Sequence, residues 1–259
     1  MKSPSTRNRK SGRSRLPASV TARLPKAIAF DVFGTVVDWR SGIVSASSAK
    51  LSEIGREDVS AEAFADGWRG RYIETMLAYR SSKHSFVPLD VLHLKMLDAT
   101  LQSNGIDPKT LDSALIEDWN RAWHRLDPWH DSVPGLSRLK ARFPIVALSN
   151  GNVALVLAMA RHAGLPWDAI LGAEFTRTYK PDPMAYLGTA QALAIAPAEL
   201  CLVAAHHSDL AAARSCGLMT AYVDRPDEYG GRPAPDAGAE QAWDWSVRSI
   251  TELAQQLGC

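Results

Sequence analysis

The chain has 259 residues, of which 46% are apolar and 22% charged, an ordinary mixture for a globular protein that allows one large domain or a core with a smaller companion. Twenty-nine basic residues against 28 acidic ones give a net charge of +1, but the first 25 residues hold seven basic residues and no acid, so the body carries 1 − 7 = −6 and has no basic excess for a nucleic-acid substrate. No window approaches the roughly 18 apolar residues of a membrane span, and three scattered cysteines (Cys201, Cys216 and Cys259) are too few for a disulfide framework or a cysteine zinc site, which fits a reducing cytoplasm.

Residues 1–25 are rich in Ser, Arg, Lys and Pro and have no apolar period, so a disordered basic leader is expected there. The run Ala27 to Phe33 is apolar except for one Asp, and reads as a buried strand that ends in chemistry before Gly34-Thr35 turns the chain. From Gly42 to Trp129 the text is helical. Phe64, Trp68, Tyr72, Met76 and Tyr79 step by four, four, four and three, which is one packing face of a helix. Val87 to Leu101 and Leu111 to Trp123 read as two further helices. Pro134-Gly135 opens another, and Pro144 to Leu148 is a second buried strand followed by Ser149-Asn150-Gly151. A helix over Val153 to Ala163 ends at Gly164. The remaining expectations are a strand at Ala169 to Ala173, a helix at Pro183 to Leu193, a strand at Leu202 to Ala205, a helix at His206 to Cys216, and a strand at Leu218 to Val223. A Gly/Pro/Asp-rich loop then runs from Asp224 to Glu240, and a last helix from Ser246 to Leu257. Strands alternating with helices through short loops imply a parallel sheet covered on both faces. The plan is therefore an α/β core made of residues 26–41 and 131–259, with a helical cap of residues 42–130 inserted.

In open parallel sheets, ligands bind beyond the carboxyl ends of the strands. Four predicted ends carry polar residues: Asp31, Ser149-Asn150, the Tyr179-Lys180 loop and the turn from His206 to Asp209. Taken singly, each has an ordinary explanation as a cap, a turn or a solvated charge. Taken together they describe a site. A carboxylate nucleophile in a closed site needs a cation and hydrogen bonds to stay ionised, which Lys180 and Thr35 would supply. Hydrolysis of its ester needs a second carboxylate to position water, for which Asp209 is the candidate.

Those four segments resemble the motifs of the haloacid dehalogenase superfamily, and within it the L-2-haloacid dehalogenase (type II) family. Asp31-Val32-Phe33-Gly34-Thr35 is similar to its DxxGT motif, Ser149-Asn150-Gly151 to the second, Tyr179-Lys180-Pro181-Asp182 to the third, and Ala204 to Asp209 stands where the fourth lies. The fold the resemblance implies is a Rossmann-like parallel sheet with an inserted helical cap. Phosphatases of this superfamily carry DxD in the first motif and GDxxxD in the fourth. Here Phe33 and Ala205 occupy the positions of the acid/base and of a magnesium ligand, which favours chemistry without a metal or other cofactor.

On this resemblance Asp31 is the nucleophile that displaces halide at C2, Thr35 orients it, and Lys180 keeps it ionised with Tyr186 beside it. Arg69 and Asn150 cradle the halide, Ser149 binds the substrate carboxylate or positions the nucleophile, and Asp209 activates or orients water. Phe33 lines the pocket around the alkyl group. Dehalogenases of this type read SSNxxD in the fourth motif, whereas this chain has Ala204, Ala205 and His206, so His206 stands where an amide is expected and is read as a substrate-binding or orienting donor. Arg69 has an ordinary alternative as a solvated partner of Glu62, Asp66 or Glu74. The expected activity is conversion of small L-2-haloacids and water to D-2-hydroxyacids. A related hydrolase of a fluorinated or other small carboxylate, a phosphatase, and a non-catalytic binding protein are the alternatives. The resemblance also implies a homodimer.

Overall fold

The computed structural model describes residues 24–81 and 85–259, so the basic leader lies outside the described residues apart from Leu24 and Pro25. Strand β1 (Ala27–Phe30) is buried along its whole length. It is followed by α1 (Trp39–Glu53), whose first turn is capped by Asp38 accepting the Ser41 amide, then by α2 (Ala61–Ser81), α3 (Leu89–Ser103) and α4 (Ser113–Asn120). Next come α5 (Ser132–Lys140), β2 (Ile145–Ala147) and α6 (Val153–Ala163). Gly164 closes α6 in the left-handed conformation that its missing Cβ permits. The chain continues through β3 (Ala169–Ile170), α7 (Ala173–Thr176), α8 (Pro183–Ala192), β4 (Leu200–Ala204), α9 (His207–Ser215), β5 (Met219–Val223), β6 (Trp245–Val247) and α10 (Ile250–Gln256).

Among the described residues six strands form one parallel sheet in the order β3-β2-β1-β4-β5-β6. Strand β1 lies in the middle, between β2 and β4. The chain leaves it toward one edge and returns on the other side, which opens a crevice at its carboxyl end. Three expectations need correction. The first strand ends at Phe30, so Asp31 to Phe33 already belong to the turn. The segment expected as a strand over Ala169 to Ala173 pairs only at its first two residues and then turns into α7. The segment read as one helix from Ser246 is a sixth strand followed by α10, divided by Ser249, whose hydroxyl accepts the Glu252 amide and so starts the helix.

Helices α1 to α4 form the cap over the carboxyl ends of the strands. Its core is aromatic. Trp39 and Trp123 stack with centroids 6.2 Å apart, Trp68 meets Trp123 edge-on at 5.5 Å, and Phe64 stacks on Trp119 at 5.0 Å. All five are essentially fully buried. Trp68 donates from Nε1 to the His93 carbonyl and Trp119 to the Ser47 hydroxyl, so neither indole leaves its polar atom stranded. Trp68 therefore serves packing, as the helical period predicts.

Three polar contacts fix the cap over the core. The Asp90 amide donates to Asn152 Oδ1 while Asn152 Nδ2 donates to Asp90 Oδ2, at 3.1 and 2.9 Å. The Tyr179 hydroxyl donates to the Val87 carbonyl at 2.5 Å, and Asn150 Nδ2 to the Tyr72 hydroxyl at 2.6 Å. Each joins the cap to a segment following a core strand, so cap placement and site geometry are set together.

Candidate active site

Asp31 sits one residue past β1 and is 7% exposed. Its amide still donates to the Val203 carbonyl, which continues the ladder and fixes where the side chain starts. Four residues later the Thr35 hydroxyl donates to Asp31 Oδ2 at 2.7 Å, and itself accepts the Ala205 amide at 2.9 Å. The tight turn between them requires Gly34, which has φ of 82° and lies directly against the Glu228 carboxylate, where any β-carbon would overlap.

Lys180 Nζ donates to Asp31 Oδ1 at 2.8 Å and to Asp209 Oδ2 at 2.5 Å, and the Tyr186 hydroxyl donates to Asp209 Oδ1 at 2.6 Å. The ammonium thus bridges two carboxylates in a site almost closed to water. Burial by itself would raise the Asp31 carboxyl. The charge of Lys180 and hydrogen bonds from His206 and Lys180 outweigh it and hold Asp31 well below the usual carboxylate range. Burial would lower Lys180, but the charges of Asp209 and Asp31 keep its ammonium above the usual range. Burial and the nearby Asp209 raise the Tyr186 phenol, so it stays a donor.

His206 contributes more than an amide could. Its Nδ1 lies 3.1 Å from Asp31 Oδ2 and its Nε2 lies 3.0 Å from Glu228 Oε1. Glu228, 2% exposed, also accepts from Trp39 Nε1 at 3.0 Å. Burial would lower His206, yet the Glu228 charge and the hydrogen bonds to both carboxylates raise it well above the ordinary histidine value. A carboxylate facing each nitrogen is the arrangement that a doubly protonated ring, donating at both, satisfies.

These groups open into a cavity of about 660 Å³ between the cap and the strand ends, walled by Phe33, Arg69, Tyr72, Asn150, His206 and Asp209 among others. The Arg69 guanidinium lies over the rings of Tyr72 and Trp39, with its carbon 4.6 and 5.4 Å from their centroids. Asp66, one of the solvated partners considered for it, instead pairs with Arg40 and Arg232. Phe33 packs edge-on against Trp123 at 5.8 Å and gives the cavity an apolar floor. Asn150 accepts the Lys180 amide through Oδ1 at 2.8 Å, which ties the second motif to the third. Ser149 is fully buried, and its hydroxyl accepts the Gly151 amide at 3.0 Å. It shapes the turn that presents Asn150 and does not line the cavity.

The structure thus brings Asp31, Thr35, Lys180, Tyr186, His206 and Asp209 into one bonded cluster, with Arg69, Asn150 and Phe33 on the cavity wall and Ser149 behind it. The sequence reading missed Glu228, Trp39 and Tyr72 as site residues. The one signal for Glu228 was the length of the loop from Asp224 to Glu240, since long loops without secondary structure are commonly functional.

The centre does not fit a divalent ion. Among the described residues no three His, Cys, Asp or Glu side chains are arranged to hold a metal ion, and the Lys180 ammonium fills the space between the two carboxylates that an ion would need. Among the described residues, no helix is long and apolar enough to cross a membrane.

A family model for haloacid dehalogenase-like hydrolases matches residues 25–217. The chain is 30% identical to an (S)-2-haloacid dehalogenase of Pseudomonas sp. (strain YL), over 88% of this chain and 94% of the relative. The crystal structure of a defluorinating L-2-haloacid dehalogenase is similar with a TM-score of 0.88 at 49% identity, covering 92% of this chain and 97% of that one. A second L-2-haloacid dehalogenase structure is similar with a TM-score of 0.84 at 44% identity, covering 90% and 98%.

Proposed function

Because the chain belongs to the haloacid dehalogenase-like hydrolases, and among them to the L-2-haloacid dehalogenase family, we propose that it converts small L-2-haloacids to D-2-hydroxyacids through an ester on Asp31. The observation that carries this reading is the Lys180 ammonium between Asp31 and Asp209. It gives a nucleophile that is ionised without a metal ion, facing a cavity whose wall bears the Arg69 cation.

Asp31 attacks C2 in line, the C2–halogen bond breaks, and its electron pair leaves as halide. Arg69 and the Asn150 amide stabilise that charge as it grows, which is where a fixed cation contributes most. Thr35 and Lys180 orient the carboxylate before attack and polarise the ester carbonyl afterwards. Water then adds to that carbonyl. Asp209 directs it: each of its oxygens has one partner, Lys180 or Tyr186, and keeps capacity for another. A single displacement inverts C2, and hydrolysis at the Asp31 carbonyl leaves C2 untouched, so an L substrate gives a D product. Ser149 acts by holding the turn beneath Asn150.

A fluorinated acid is favoured as a second substrate by the similarity to a defluorinating relative, and Arg69 supplies the charged donor that a departing fluoride needs. The reading also includes a reducing, cytoplasmic location, supported by three unpaired cysteines, and a homodimer, supported by the family resemblance. Halide release from each 2-chloropropionate enantiomer, run beside p-nitrophenyl phosphate with magnesium, tests the activity. Chloride from the L enantiomer with no phosphate release is expected. Magnesium-dependent phosphate release without chloride overturns the reading.

A further inference from the structure

We infer that formation of the Asp31 ester itself converts His206 from a proton holder into the base for hydrolysis, and that Glu228 is the positioning residue that aims it. This rests on the dehalogenase reading above and adds to it an order of proton movements.

The argument starts from a ring with a carboxylate at each nitrogen. His206 Nδ1 faces Asp31 and Nε2 faces Glu228, at 3.1 and 3.0 Å. An imidazole can donate to both only when doubly protonated. Glu228 cannot turn away, because Trp39 Nε1 holds the same oxygen and Gly34 packs against the carboxylate. Asp31, from the end of β1, has Lys180 and Thr35 as its other partners. The remaining charged or titratable groups around the ring are Asp209, joined to Asp31 through Lys180, Arg69 on the cap wall, and the Tyr229 phenol beside Glu228. In the resting enzyme the two adjacent carboxylates keep His206 charged, and a charged imidazole cannot accept a proton from water.

Alkylation changes one of those two charges. The Asp31 oxygen bonds C2, halide leaves, and the carboxylate becomes a neutral ester. The Nδ1 proton then faces an ester oxygen in place of an anion, with the Arg69 and Lys180 charges still present. It passes to water in the cavity, and this is the one proton that each turnover releases. Glu228 keeps Nε2–H, so the freed lone pair is on Nδ1, facing the ester. This is the orienting task that a carboxylate performs for any catalytic histidine. A water molecule next gives one proton to Nδ1 as its oxygen bonds the Asp31 carbonyl carbon. The bond from that carbon to the substrate oxygen breaks, and the second water proton ends on the departing hydroxyacid. Asp31 is again a carboxylate and His206 again an imidazolium, so charge and protons balance. The base is thus withheld until there is an ester to hydrolyse.

Asp31→Asn places a neutral group of the same size where the ester would be, so the switch can be read without substrate. Nitrogen NMR of the histidine rings in the full-length protein should show His206 doubly protonated in the wild type at about pH 7.5, and neutral with the proton on Nε2 in Asp31→Asn, a fall in its titration midpoint of at least about one unit. Glu228→Gln should lower the wild-type midpoint as well. Equal protonation of His206 in the wild type and Asp31→Asn overturns the proposal. His206→Asn should release roughly one halide per site and then hold the ester, seen as added mass on the intact protein. Turnover by His206→Asn without accumulated ester also overturns it. A wild-type enzyme that releases no halide would defeat the dehalogenase reading, whereas the NMR result reports on the switch alone.

Discussion

Gly34 and Glu228 share one small space: the glycine Cα lies against the carboxylate that holds His206, with no room for a β-carbon. The glycine of the first motif therefore does two things. It makes the turn after β1 at φ of 82°, and it admits a side chain from the far end of the chain to the nucleophile's neighbour. Gly34→Ala is expected to lower stability by about 1–3 kcal/mol through the positive φ and the overlap. A double-mutant cycle with Glu228→Ala separates the two, since removing the carboxylate relieves only the overlap. An equal cost of Gly34→Ala in both backgrounds, measured by urea unfolding, would mean that the overlap contributes nothing.

The two half-reactions should separate at Asp31 and Asp209. Asp31→Asn should release no halide, because an amide cannot form the ester. Asp209→Asn should release roughly one halide per site and then slow, because Lys180 and the water lose their common carboxylate. Rapid quench with intact-protein mass spectrometry distinguishes these outcomes. With excess enzyme in ¹⁸O water, a single turnover should place the label in Asp31. Label found first in the product would mean direct attack by water.

Arg69 should act on halide departure. Arg69→Lys keeps the charge but loses the planar fork and the stacking on Tyr72 and Trp39, so kcat/KM should fall by one to two orders of magnitude, about 1.4–2.8 kcal/mol. Circular dichroism should stay unchanged, since among the described residues Arg69 makes no ion pair that the substitution would break. A wild-type rate in Arg69→Ala would return the residue to a purely packing role.

Dialysis against EDTA should leave activity intact, and added magnesium should not raise it. The halide-releasing step should be level between about pH 5 and 9. The signs follow from the two shifts. Asp31 is depressed, so its contribution to stability is present above the unfolded value near ~3.9 and is lost as pH falls toward the folded one. Lys180 is raised, so its contribution is complete below about 10.4 and is lost as pH rises through the folded value. A single-turnover halide burst measured across this range checks the plateau, and a strict magnesium requirement would contradict the bridging role of Lys180.

Several features of the site were legible because each is local in sequence. An apolar run ending in Asp31, a turn at Gly34-Thr35, and polar residues after three later runs all lie at strand ends, and parallel strands place their carboxyl ends together. The α/β core and the helical insertion follow from hydrophobic period and short loops, whereas the identity of the motifs rests on the family resemblance. Trp68 is buried against Trp123, because an i, i+4 aromatic stripe on a helix must find a face to cover.

Only the tertiary structure decided how the charges pair. Glu228 stands in a loop with no hydrophobic period, 189 residues from Trp39 and 22 from His206, and nothing local distinguishes it from the other acids there. Arg69 could equally have paired with a neighbour on its own helix, until the fold gave Asp66 to Arg40 and Arg232. The sixth strand was hidden for a similar reason: three residues are too few to show a period, and Trp245 to Val247 become a strand only because β5 offers them an edge. Periodicity records which face of an element is buried. It does not record which buried charges meet, and that pairing is what sets the protonation of His206 between Asp31 and Glu228.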